Sequence, residues 1–223
     1  MSDILKLMAD SFFKILIPGL KMTIPLTIIS FSIALVIGTV TALLQFGKVK
    51  VLKDIARLYI WIVRGTPLLI QLFVVFYGLP SIGILIDPFP AAVIVFSINE
   101  GAYSAETIRG ALESVPKGQI EAGYCIGMNF IQVMWHIVLP QAFRAAFPSL
   151  SNNLIAMVKD TSLASNITVV EMFMVTQRIV ARTYQPLALY IEVGLIYLMF
   201  STVLTWLQRV IENNLNKKGV QRY

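Results

Sequence analysis

Apolar positions run through this chain in blocks, and the polar positions between them fall at a few fixed places. Met22 to Gly47 holds no charged residue over 26 positions. As a helix it would be ~39 Å long, enough to cross a hydrocarbon core of about 30 Å with some tilt. Lys48, Lys50, Lys53 and Arg57 follow against the single Asp54, and Gly65 to Ile86 is again free of charge. Gly78 and Pro80 predict an end to this second span near Leu79. Pro88 to Ile108 reads as a third span, with Glu100 near its midpoint. A fourth is expected from Pro140 to Val158, and a fifth from Leu187 to Leu207. Residues 159–186 are moderately apolar and read as partly inserted. The N-terminal stretch has Asp3 and Asp10 where a signal peptide wants a basic region, and Lys14 breaks its apolar run. It is expected to be retained and to lie along or near the membrane surface.

Composition agrees with lipid as the solvent. The chain is 57% hydrophobic and 13% charged, with a mean hydropathy of +0.77, whereas soluble domains carry about 25% charged residues. The expectation is an all-α integral membrane protein of about five transmembrane helices, forming one domain over residues 1–223. A net charge of +6 does not point to nucleic acid, because the cations are not gathered with aromatics into a patch. Cys125 and His136 each stand alone, which leaves no disulfide framework and no metal set.

With the N-terminus outside, twelve of the eighteen Lys and Arg residues fall on the cytoplasmic side, Lys48, Lys217, Lys218 and Arg222 among them. That bias predicts a cytoplasmic C-terminus. The same orientation puts residues 113–139 in the cytoplasm. There Pro116 suits a helix start, Gly127 a left-handed corner, and Asn129 with Gln132 a capping box. Pro140 marks the next break. Two short helices around a glycine corner are expected.

At this segment the chain resembles a known family. The pattern E-A-G-x3-G-x9-I-x-L-P, at Glu121, Ala122, Gly123, Gly127, Ile137, Leu139 and Pro140, is similar to the EAA loop of ATP-binding cassette (ABC) importer permeases. Gly123 departs from it, since the family more often has Ala. RGTPLLIQL from Arg64, GAYSAETIRG from Gly101, SVPKGQIEA from Ser114 and KDTSL from Lys159 narrow the resemblance to the polar amino-acid branch. It implies a coupling element that docks in a cytoplasmic ATP-binding subunit present in two copies. It also implies a second permease subunit, an extracytoplasmic solute-binding protein and a prokaryotic inner membrane. ATP and Mg would belong to the partner, for this chain has no phosphate loop of its own and reads as no enzyme.

Ionisable groups at membrane depth are costly and usually face a path or a packed interior. Helical spacing sets Ser97, Glu100 and Ser104 on one stripe of the third span, with Asn99 and Tyr103 beside it. Gln71, Asp160, Thr161 and Glu192 join them as candidate substrate contacts. The alternative is a hydrogen-bonded stripe that only holds helices together, with Asp160 paired to Lys159 and Arg64 as an anchor at the boundary. If Glu100, Glu192 and Asp160 share one path, their surplus of negative charge predicts a cationic amino acid, namely arginine, lysine or histidine. If they are paired, glutamine or another polar amino acid fits. A secondary transporter or channel is the more distant alternative, with no inverted repeat to favour it.

Overall fold

The computed structural model describes residues 2–46 and 49–220, with side chains described over 3–46 and 49–215. Gly47, Lys48 and Arg222 therefore lie outside the described residues, as do the side chains of Lys217 and Lys218. No strand occurs among the described residues. α1 (Ser2–Pro18) and α2 (Ile24–Phe46) are joined by a π turn, Gly19–Thr23, and form one helix from Asp3 to Phe46. At ~1.5 Å per residue this helix is about 66 Å long, twice what a bilayer core needs. The N-terminal stretch is thus no separate segment but continues the helix of the first span, which is long enough to leave about half its length outside the core. The wide turn follows Pro18, whose missing N–H and ring strain the regular ladder. Gly19 lets α9 (Met172–Thr183) approach, since a Cβ there would lie 2.4 Å from Met172 Sδ.

The second expected span is broken. α3 (Lys50–Gly65) and α4 (Leu68–Phe73) meet at a 102° corner, where Thr66 and Pro67 are extended. A residue before proline is pushed out of the helical region, which sets the corner. α4 runs on through a π turn and a 3-10 turn to Ile82, where Gly83 adopts φ +85.

α5 (Pro88–Glu113) lies against α2 over much of its length. Small residues allow that approach: a Cβ on Gly38 would meet Ser104 Cβ at 2.8 Å, and one on Gly101 would meet Ile37 Cγ2 at 2.8 Å. Such close backbone contact is how helices associate in lipid, where no hydrophobic drive separates them from the solvent.

α6 (Lys117–Cys125) ends at Gly127 with φ +83. α7 (Phe130–Val133) is closed by the capping box, Gln132 N to Asn129 Oδ1 at 2.9 Å and Asn129 N to Gln132 Oε1 at 2.9 Å. Pro140 does not break the chain. A π turn, Met134–Val138, carries α7 straight into α8 (Leu139–Asp160), and the extra residue in that turn accommodates the proline one position into α8. A 3-10 turn, Thr161–Ile167, leads to α9, and α10 (Pro186–Val220) closes the fold.

One packed centre joins α2, α4, α5 and the turn after α8, through Leu26, Leu72, Phe96 and Ile167. A second sits under the coupling segment, and a third binds α1, α9 and α10 through Ile15, Met172 and Val193. Outward-facing apolar side chains such as Val36, Leu195 and Leu198 remain exposed, as expected where lipid is the neighbour. Among the described residues two helices qualify as spans by length and composition, Asp3–Phe46 and Pro186–Leu215, and a third if the bent pair counts as one. α5 and α8 are long enough but hold too many polar groups to pass on hydropathy, which is where the path-lining residues were expected.

Candidate functional site

The corner, α5 and α8 line an open cavity of about 600 Å³. Its wall combines Arg64 to Leu68 of the corner, Asn99, Glu100 and Tyr103 of α5, and Asn153, Ala156 and Asp160 of α8. Glu100 Oε1 accepts hydrogen bonds from Asn153 Nδ2 at 2.8 Å and Ser104 Oγ at 3.0 Å. These neutral donors satisfy one carboxylate oxygen without cancelling its charge. Gln71 stands behind the wall. Its Nε2 donates to Val63 O at 2.8 Å and to Thr66 Oγ1 at 2.9 Å, while its Oε1 accepts from Asn99 Nδ2 at 3.1 Å. It therefore fastens the corner to α5 and braces the cavity. The Arg64 guanidinium sits 5.0 Å from the Tyr103 ring centre, and its Nη1 is 3.9 Å from Glu106 Oε2. The anchor reading of Arg64 misses that it lines this cavity.

Of the eight candidate contacts, Asn99, Glu100, Tyr103 and Asp160 are brought together, with Gln71 behind them. Three are not. Ser97 is 2% exposed and its Oγ donates to Val93 O within its own helix. Thr161 is fully buried and donates to Val158 O. Glu192 lies between α1 and α10, 4% exposed, and accepts from Ser11 Oγ at 2.6 Å. Depth along a span was right for it. The face it turns inward is set by α1, which the sequence reading had placed on the surface. Asn153 and the Thr66–Pro67 backbone were missed, although an Asn in an expected span was a usable signal.

Glu171 was missed as well. It is fully buried, caps α9 by accepting from Phe173 N at 2.8 Å and Met174 N at 2.7 Å, and accepts from Tyr197 Oη at 2.8 Å. Glu is a rare cap, so the usual cap residues gave no warning.

At the coupling segment, Gly123 is buried where a Cβ would lie 2.7 Å from Ile137 Cδ1 and 3.1 Å from Val133 Cγ2. Glu121 and Ala122 point outward, Ile137 and Pro140 are half-buried, and Leu139 sits at the edge of exposure. The outer side is apolar, with Ile126 78%, Ile131 75% and Trp135 69% exposed.

A polar cavity lies among helices with outward apolar faces, and α8 connects it to a capped element whose outer side is apolar. Residues 34–217 match the family described as binding-protein-dependent transport system inner membrane component. The chain belongs to that family and is a permease subunit of an amino-acid ABC importer. ATP hydrolysis is therefore the work of a separate subunit; the permease lies in the inner membrane, and an ATPase and a binding protein are its partners. The permease is 48% identical to the L-cystine transport system permease protein TcyB of Bacillus subtilis (strain 168), over 95% of this chain and 91% of that protein. It is 35% identical to the nopaline transport system permease protein NocM of Agrobacterium fabrum, over 95% and 92%. A solved amino acid ABC transporter with histidines shares its fold at a TM-score of 0.87 and 32% identity, covering 92% of this chain and 96% of that one.

Proposed function

We propose that the cavity between the corner, α5 and α8 is where the permease passes its amino acid, and that this amino acid brings two positively charged centres. The observation that carries the reading is Glu100 and Asp160 lining one wall. Glu100 accepts from the neutral donors Ser104 and Asn153, and Arg64 leans toward Glu106 and Tyr103. A carboxylate pair in a low-dielectric passage gains most from a cation held between its members. L-Cystine, with two ammonium groups, is the first candidate, and the likeness to TcyB supports it. Arginine, lysine and histidine form the second reading, supported because the cavity's wall carries two acids against the single cation Arg64, which also reaches toward Glu106, an acid it shares with Arg109. Measuring ATPase stimulation of the reconstituted complex by L-cystine, arginine, lysine, histidine and glutamine separates them. L-Cystine should act at the lowest concentration. Arginine in that place would make the cationic reading correct, and glutamine would refute both.

The coupling element is read as docking in the ATPase through Ile126, Ile131 and Trp135, with two ATPase copies (each holding ATP and Mg) serving two permease subunits by alternating access. Placement of the N-terminus outside and the C-terminus in the cytoplasm rests on the distribution of Lys and Arg. One labelling experiment addresses both. In a Cys125→Ser background, Ile126→Cys should react with an impermeant thiol reagent only from the cytoplasmic side, and the ATPase subunit should protect it. Labelling from outside overturns the orientation, and labelling unaffected by the ATPase overturns the docking.

A further inference from the structure

A second charged cavity, of about 380 Å³, lies between the ends of α2, α3 and α5 on the side of the coupling element. Its acids are already engaged. Arg109 holds Glu106 at 2.9 Å and Glu113 at 2.7 Å, and Gln45 Nε2 donates to Glu106 Oε1 at 3.3 Å. Lys53 and Arg57, one turn apart on α3, line the same cavity. Among the described residues no carboxylate oxygen lies within 4.0 Å of either. The cavity thus has cations to spare and fits an anion.

α3 says where that anion comes from. By helical spacing Val51, Ile55, Leu58 and Ile62 form a stripe opposite Lys53 and Arg57, and all four are exposed. Trp61, 73% exposed, falls between the two faces. A helix with a basic face, an apolar face and an aromatic at the boundary lies at the membrane interface, its apolar side in the acyl chains and its cations at the headgroups. We propose that Lys53 and Arg57 bind the phosphate of an anionic phospholipid in the leaflet on the coupling-helix side. The bound headgroup would join α3 to α5 next to the Arg64–Glu106 contact, which links this cavity to the amino-acid cavity. The two cavities share no lining residue, so failure of this proposal would leave the substrate reading intact.

The test uses the complete permease–ATPase complex, presented with phosphatidylglycerol and phosphatidylcholine in equal amounts, with retained lipid counted by native mass spectrometry. The wild type should prefer phosphatidylglycerol by about thirtyfold, the sum expected of two cations near the surface. Lys53→Gln with Arg57→Gln should bring the ratio close to parity. Arg57→Gln alone should leave about fivefold, which keeps the test alive if the double variant does not assemble. Arg57→Lys should keep the preference, and so should Arg209→Gln, an exposed cation off the cavity. No preference in the wild type, or an unchanged one in the variants, overturns the proposal. Displacement of the lipid by millimolar inorganic phosphate overturns its lipid source in favour of a soluble phosphate compound.

Discussion

Two pairs of acids lie within this bundle, and they live under opposite conditions. Glu100 and Asp160 share a cavity with room for a small molecule, and Glu100 meets only neutral donors there. Glu171 and Glu192 sit in the α1–α9–α10 region, 0% and 4% exposed, each tied to a partner from a distant part of the chain. Glu171 is a fastener, because both its oxygens are bonded within the fold, while Glu192 is held through one oxygen by Ser11 and otherwise faces a small, mostly apolar cleft between α1 and α10. Burial beside room leaves charge for something that comes and goes. Depth along a span does not distinguish the two, whereas the helix face and the element packed on it do.

The comparison is most open to attack at Glu171. Glu171→Ala strips two backbone donors at the start of α9 and the Tyr197 hydroxyl of their acceptor. It should cost ~3 kcal/mol of stability, from a lost cap and unsatisfied buried donors. Thermal unfolding of the purified permease would show the loss, and the amino-acid concentration for half-maximal ATPase stimulation should not move in the folded fraction. If that concentration rises instead, Glu171 is part of the path and the division fails.

A finer test sets Glu100→Gln against Glu192→Gln. The first should raise the half-maximal amino-acid concentration about tenfold, the equivalent of ~1.4 kcal/mol, with little change in stability. The second should leave that concentration in place and shift stability by about 1 kcal/mol or less, since the amide can keep the Ser11 contact. Equal shifts in concentration dependence for both variants would put the acids in one site and restore the three-carboxylate reading.

Much of the architecture was legible because it depends on local rules. The charge-free run into α2, the capping box at Asn129 and Gln132, and the positive φ at Gly127 follow from residues a few positions apart. The misses share a different cause. Glu192, Ser97 and Thr161 were placed by depth, but their directions depend on which helix packs where. The fate of Pro140 turned on one extra residue in a π turn, which no periodicity announces. The corner at Thr66 and Pro67 was written in the sequence as a residue before proline. A long charge-free run hid it, and with it the wall that makes the cavity.

That π turn has a mechanical consequence. Because α7 runs through it into α8, Phe130 and Asp160 stand at the two ends of one continuous helix, ~45 Å along its axis at 1.5 Å per residue, with Pro148 the one interior proline of α8. A tilt of about 5° imposed at the end that carries Phe130 would sweep the end that carries Asp160 through ~4 Å, close to one helical pitch of 5.4 Å. Asn153 and Asp160 ride on that arm, while Glu100 stays on α5. A small stroke by the motor would therefore open or shut the grip of these residues on a cargo, without any need for the helices to unwind.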